Sequence, residues 1–212
     1  MSEDEKKKIR VMLVDDHFAV RVGMAASLKF EEDIDIIAEA GSGEDAVKLF
    51  AEHKPDVCVM DWRLPGISGV EAVQEIRKDH PDAKIIMLSV YEGEEDVFRA
   101  MEAGASAYVL KSADRPEVIE AIRTVLGGNK YLPPILAGRL ADRMTRSELT
   151  SRERGVLDLI VAGNSNKEIA AKLGLAEITV KQHVSSVLDK LNVQDRTQAA
   201  TAAIQRGIVH LE

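Results

Sequence analysis

The 212 residues carry 28 Lys+Arg against 36 Asp+Glu, a formal net charge of −8, with 45% hydrophobic and 30% charged residues. That length and balance suit two compact globular domains and exclude a chain dominated by disorder. The uncharged stretches fall well short of the roughly 20 apolar residues that span a bilayer, and no signal-peptide pattern opens the chain, so a cytoplasmic protein is expected. The single cysteine, Cys58, lies inside an apolar run and is expected to be an inert buried thiol. The charge is unevenly spread: residues 1–126 hold 16 Lys+Arg against 27 Asp+Glu, and residues 127–212 hold 12 against 9. The acidic front repels nucleic acid, and only the back third approaches phosphates without a large electrostatic cost.

Residues 1–8 form a charged lead expected to fray in solvent. Beyond it short apolar runs alternate with stretches of helical spacing. Strands are predicted over 9–15, 34–40, 56–61, 84–89 and 107–110, and helices near 18–30, 43–53, 68–79, 93–103 and 114–126. Five such βα units imply a doubly wound parallel sheet covered by helices on both faces. Gly127-Gly128 ends the fifth helix and Pro133-Pro134 forbids its smooth continuation, so a boundary is placed there. Residues 134–144 fit a short linker helix and a flexible tether equally well. The expected division is 9–127, a connector over 128–147, and 148–212.

From Thr150 the pattern changes to short helices with explicit end signals. Thr150 with Glu153, and Ser165 with Glu168, have capping-box spacing, and Gly163 and Gly174 stand where helices should stop. A helix over 165–173, a turn at Gly174-Leu175-Ala176 and a helix over 177–191 have the layout of a helix-turn-helix unit. Val180, Val184, Val187, Leu188 and Leu191 should face the core, leaving Lys181, Gln182, Ser185 and Ser186 outward. Residues 196–208 supply a fourth helix with a narrow stripe of Ala199, Ala200, Ala203 and Ile204, suited to the core or to a second copy of the chain.

Three of the predicted strands end on charge: Asp15-Asp16, Asp61 and Lys111. Ligands on open α/β sheets sit outside the carboxyl ends of the strands, so these groups should share one crevice. Acids packed together raise one another's pKa and destabilise the empty site unless a cation or a chemical task holds them there. Asp61 is the candidate nucleophile toward phosphorus, forming an acyl phosphate, with Asp15 and Asp16 as oxygen ligands for Mg2+. Lys111 and the Ser89 hydroxyl are placed to meet phosphate oxygens. Any one of these residues alone reads as a cap or a surface charge; the set at separate strand ends does not.

The motifs Val14-Asp15-Asp16-His17, Met60-Asp61-Trp62-Arg63-Leu64-Pro65-Gly66-Ile67-Ser68-Gly69, Leu88-Ser89 and Tyr108-Val109-Leu110-Lys111 resemble the receiver domain of two-component response regulators. Leu149-Thr150-Ser151-Arg152-Glu153, Ser165-Asn166-Lys167-Glu168-Ile169-Ala170 and Thr179-Val180-Lys181-Gln182-His183-Val184 resemble the LuxR-type helix-turn-helix. Together they are similar to the NarL/FixJ class over nearly the whole chain. The resemblance implies a flavodoxin-like receiver followed by an all-α, four-helix DNA-binding domain. It implies that Asp61 accepts phosphate from a sensor histidine kinase, that Asp16, Asp61 and the Arg63 carbonyl ligate Mg2+ with Asp15 acting through water, and that Tyr108 reports the change. It implies no enzymatic activity beyond the chain's own phosphorylation and dephosphorylation.

By the same resemblance the second helix of the motif enters the major groove of double-stranded DNA, with Lys181, Gln182 and Ser185 toward base edges. Thr179, His183, Asn166, Lys167 and Lys190 are then the expected phosphate contacts. A near-neutral domain gains little from charge, so a homodimer is expected once the receiver is phosphorylated. Four positions depart from the family pattern, the mildest being Leu64, which precedes Pro65 where Met is frequent. Val90 follows Ser89 where Ala is frequent, Ala176 replaces the usual Ser cap, and Ile178 stands at a normally polar position. Two rival readings stand beside this one: a phosphatase or phosphotransferase using Asp61, and a regulator that binds DNA without phosphorylation.

Overall fold

The computed structural model describes residues 8–210; the leading segment 1–7 lies outside them. By its internal contacts the chain divides into two compact units. One holds the residues up to Tyr91 together with Val97–Ala137, the other Glu92–Asp96 together with the residues from Gly138 on.

The first unit is built on five parallel strands: β1 (Ile9–Val14), β2 (Ile34–Ala40), β3 (Val57–Asp61), β4 (Ile85–Ser89) and β5 (Ala107–Leu110), in the spatial order β2-β1-β3-β4-β5. Helices α1 (Phe18–Leu28), α2 (Gly43–His53), α3 (Gly69–Asp79), α4 (Glu94–Ala103) and α5 (Arg115–Leu126) follow the strands in turn. β3 and β4 are buried along their whole length, as strands covered on both faces require. Val11, Leu13, Val57, Val59, Ile86 and Leu88 pack with the apolar faces of α1 and α5. Beyond β5 the sheet edge is covered by the chain after α5, where Tyr131 exchanges backbone hydrogen bonds with Ser106 and Tyr108.

Local sequence explains the helix starts. Asp114 accepts from the Glu117 amide ahead of Pro116, and Ser68 with Glu71 closes a capping box at α3. Predicted and observed boundaries differ by a residue or two. The most informative difference is at β1, which stops at Val14, so that Asp15 lies just past the ladder.

Helix α6 (Pro134–Met144) occupies the stretch for which a helix and a tether are equally compatible with the sequence, with its proline at the first position. The second unit contains α7 (Ser151–Val161), α8 (Asn166–Leu173), α9 (Glu177–Leu191) and α10 (Arg196–Gln205). Both expected capping boxes form, at Thr150/Glu153 and Ser165/Glu168. Gly174 takes the left-handed conformation (φ 65°) that ends α8 and aims the chain into α9. Val180 is buried in one apolar cluster with Val184 packed against it, and Val187 and Leu191 in a second with Leu188 packed against it. Among the described residues no helix is long and apolar enough to cross a membrane.

Candidate functional site

The strand order reverses direction about β1, and the crevice at that switch point is where the charged strand ends meet. Asp61 is the last residue of β3, Asp15 and Asp16 follow β1, Ser89 ends β4 and Lys111 follows β5. Asp15 and Asp61 are each only 3% exposed. The Lys111 ammonium lies 2.6 Å from Asp15 Oδ2 and 2.8 Å from Asp61 Oδ2, bridging the two acids.

The electrostatics follow from burial. Loss of solvent raises the Asp61 carboxyl above its ordinary pKa; the charge of Asp15 adds to this, and Lys111 acts against it. For Lys111 burial by itself would lower the ammonium, but its bonds to Asp15 and Asp61 outweigh that and hold it above its ordinary value. The cluster therefore carries more negative charge than one ammonium balances.

Asp15, Asp16, His17 and Asp61 each offer a ligand atom, and these atoms all lie within 4.8 Å of one another. Opposite oxygens of an octahedral Mg2+ stand about 4.2 Å apart, so small side-chain rotations would let the three carboxylates converge on one ion. The donor chemistry fits a hard divalent cation. The backbone around Asp61 is held closely: a Cβ at Gly69 would lie 2.0 Å from the Asp61 carbonyl oxygen, and the Gly69 amide donates to the Trp62 carbonyl. Only glycine allows that approach of α3 to the end of β3. In the sequence Gly69 is a letter of the motif, and its reason appears only in three dimensions.

Ser89 and Tyr108 both hold the backbone of Tyr91. The Ser89 hydroxyl accepts from the Tyr91 amide at 3.0 Å, and the fully buried Tyr108 donates its hydroxyl to the Tyr91 carbonyl at 2.9 Å. The Tyr108 ring lies edge-on to Trp62, 6.3 Å between centroids. The Arg63 guanidinium sits over the Tyr91 ring at 5.3 Å. Val90, between them, is two-thirds exposed.

In the second unit α8, the turn and α9 form the expected helix-turn-helix. Lys181, Gln182 and Ser185 are exposed on one face of α9, with Lys181 3.3 Å from Glu177 one turn earlier. Thr179 and His183 are half-buried beside them, and Lys167 is exposed on α8. Asn166 opens α8 half-buried, with a buried Oδ1 that accepts no hydrogen bond. Lys190 differs from the others. Its ammonium holds Glu153 at 2.7 Å and the Glu148 carbonyl at 2.8 Å, so it reaches a phosphate only by giving up both partners. The α9 start has no side-chain cap at Ala176, and Ile178 is 65% exposed there.

Comparison with known proteins agrees with this geometry. Residues 11–123 match the response regulator receiver domain family, and residues 147–203 match the bacterial regulatory proteins of the luxR family. The chain is 40% identical to the response regulator protein VraR of Staphylococcus epidermidis over 206 residues, covering 95% of this chain and 99% of VraR. It is also 40% identical to the transcriptional regulatory protein LiaR of Bacillus subtilis over 210 residues, covering 95% and 100%. Among solved structures, the response regulator ChrA of a heme-sensing two-component system is similar, with 35% identity, a TM-score of 0.57, and coverage of 95% and 99%. RcsB of Salmonella enterica serovar Typhimurium, at 22% identity and a TM-score of 0.72 over 94% and 99% of the two chains, shares the fold. With its acidic crevice at the strand ends and its helix-turn-helix beyond, the chain belongs to the NarL/LuxR class of response regulators, in which a receiver domain precedes a LuxR-type DNA-binding domain.

Proposed function

We propose that this regulator accepts a phosphoryl group on Asp61 from the phosphohistidine of a sensor histidine kinase, with Mg2+ in the acidic crevice, and that phosphorylation controls transcription through dimeric, sequence-specific binding of double-stranded DNA. The carrying observation is the convergence of Asp15, Asp16 and Asp61, with Lys111 bridging two of them. In this reading residues 9–127 are the phosphoacceptor domain, 128–147 the linker and 148–212 the DNA-binding domain, and the protein works in the cytoplasm.

The Asp61 carboxylate attacks phosphorus as the bond from phosphorus to the kinase histidine breaks, so an acyl phosphate forms and a neutral imidazole leaves after taking a proton. Asp16, Asp61 and the Arg63 carbonyl would hold the metal, with Asp15 acting through water, and the ion supplies charge neutralisation at the phosphoryl oxygens. Lys111, already 2.8 Å from Asp61, turns its ammonium to a phosphoryl oxygen, and Ser89 donates its hydroxyl to another. The Ser89 oxygen still accepts from the Tyr91 amide as it donates, so the phosphoryl group joins a chain of hydrogen bonds that runs through Tyr91 to Tyr108, whose hydroxyl donates to the Tyr91 carbonyl. The loop after β4 is thus the element whose balance the phosphoryl group shifts. On DNA, Lys181, Gln182 and Ser185 face base edges, Thr179, His183, Asn166 and Lys167 meet phosphates, and Lys190 joins them only by leaving Glu153. RcsB has been solved bound to promoter DNA in the presence of a phosphomimetic, which supports the same use of the shared fold.

The test is solution mass and DNA affinity of the full chain with and without acetyl phosphate or beryllofluoride, beside Asp61→Asn. A rise in mass and affinity that Asp61→Asn abolishes is expected. Equal DNA binding by untreated, treated and Asp61→Asn protein overturns the proposal in favour of a constitutive binder.

A further inference from the structure

We propose that Arg21 is a positioning residue for the metal ligands: by holding the Asp15 carbonyl it orients the peptide that joins the two acids, and so sets the affinity of the crevice for its divalent ion. The inference rests on the Mg2+-dependent phosphoacceptor reading above and concerns a residue that touches neither metal nor phosphate.

Arg21 sits on α1, with its side chain 17% exposed. Its Nη1 donates to the Asp15 carbonyl at 2.5 Å, and its Nε lies 3.6 Å from Glu39 Oε2 at the end of β2. The Nε is buried and makes no hydrogen bond, and the Phe18 ring lies 5.9 Å from the guanidinium. Placing a guanidinium there, short of one hydrogen bond, carries a desolvation cost that an exposed surface position would not. What it gains is the Asp15 carbonyl.

The polar atoms of Asp15 show why that bond matters. Its amide donates to the Ala40 carbonyl at 3.2 Å, its Oδ1 accepts from the His17 amide at 2.8 Å, and its Oδ2 meets Lys111 at 2.6 Å. The carbonyl lies one residue past the last ladder position of β1, and Arg21 donates to it there. The peptide group is planar, so fixing this carbonyl fixes the plane that carries Asp15 on one side and Asp16 on the other. Asp16 needs that support. Its side chain is 38% exposed and its ion-pair partner is His17, itself 68% exposed. When Lys111 leaves Asp15 for a phosphoryl oxygen, the Arg21 anchor stays.

Positioning and plain charge predict opposite results. If Arg21 acted only as a cation near three acids, removing it would tighten binding of a second cation. If it positions the acid pair, removing it weakens binding, and outer-shell partners of metal ligands typically matter by about 10-fold or more in affinity. The experiment is calorimetric titration of the full chain with MgCl2 for wild type, Arg21→Met and Arg21→Lys, with unfolding followed by fluorescence of Trp62, the single tryptophan. The expected result is a Mg2+ dissociation constant raised about 10-fold in Arg21→Met, with partial recovery in Arg21→Lys, whose ammonium can still reach the carbonyl but lacks the planar fork. If Arg21→Met does not fold, Arg21→Gln gives the same reading. Unchanged or tighter Mg2+ binding in the variants overturns the inference while leaving the phosphoacceptor reading in place. A wild-type chain that binds no Mg2+ overturns both.

Discussion

Replacing Lys111 by methionine keeps the length of the side chain and removes the charge that bridges Asp15 and Asp61. Both acids are nearly buried, and the ammonium is 2.6 Å from one and 2.8 Å from the other, with 17% of its side chain exposed. Stripping one partner from a buried ion pair costs about 3–5 kcal/mol; because this crevice opens at the sheet edge, the low end, about 3 kcal/mol, is expected. For a domain of this size that lowers the melting temperature by roughly 10 °C. The loss should depend on the metal. A divalent ion replaces the missing positive charge, and at a hundredfold excess over its dissociation constant it returns about 2.7 kcal/mol. Without the competing ammonium, the variant should also bind the ion more tightly than wild type does. Melting followed through Trp62 fluorescence reports the first unit alone. The gap between Lys111→Met and wild type should be wide in EDTA and close by at least half in saturating MgCl2. In an Asp61→Asn background the same substitution should cost less than half as much, since one orphaned acid is gone. A gap of the same size with and without Mg2+ would refute the reasoning, because Lys111 would then be an ordinary structural cation.

Further outcomes are open to direct measurement. The Asp61 pKa is raised by burial first and by Asp15 second, so proton and metal compete for it: Mg2+ affinity should fall on acidification, starting at a higher pH than an exposed carboxylate would give. Because the folded pKa lies above the unfolded one, its stabilising contribution is lost as pH rises through the folded value. Asp61→Asn should therefore melt above wild type in EDTA at neutral pH, and equal or lower melting contradicts the assignment. Thr150→Ala removes the α7 capping box and should cost about 1 kcal/mol in the second unit, read by circular dichroism in urea. Ala176 has N-cap geometry close to that of Ser165 but no side-chain acceptor, so Ala176→Ser should add about 0.5–1 kcal/mol; no gain would mean the α9 amides are already satisfied. Lys181→Ala should lower DNA affinity and relax sequence preference together, whereas Lys167→Ala should weaken binding to all sequences alike, measured by fluorescence anisotropy at two salt concentrations.

Much of this molecule is written in short-range pattern. Apolar runs bounded by turns mark the strands, Thr150/Glu153 and Ser165/Glu168 mark helix starts, and the valine and leucine spacing of 180–191 marks the buried face of α9; all reappear in the structure. These features depend on residues a few positions apart, which is why periodicity and capping chemistry reveal them. That Asp15, Asp16, Asp61, Ser89 and Lys111 share one sheet edge also follows from the alternation of strands and helices, because parallel strands send all their carboxyl ends the same way. Tertiary structure alone decided the rest. That Lys111 bridges Asp15 and Asp61, that Ser89 and Tyr108 hold the peptides on either side of Tyr91, and that Arg21 reaches back to the Asp15 carbonyl all depend on side chains meeting across elements. The same holds for Gly69 against Asp61 and for Lys190, whose charge looks available in the sequence and is committed to Glu153 in the fold. Residue spacing along one chain encodes which face a side chain takes; it does not encode the distance between two faces, and that distance sets whether a charge is a ligand, an anchor or a brace.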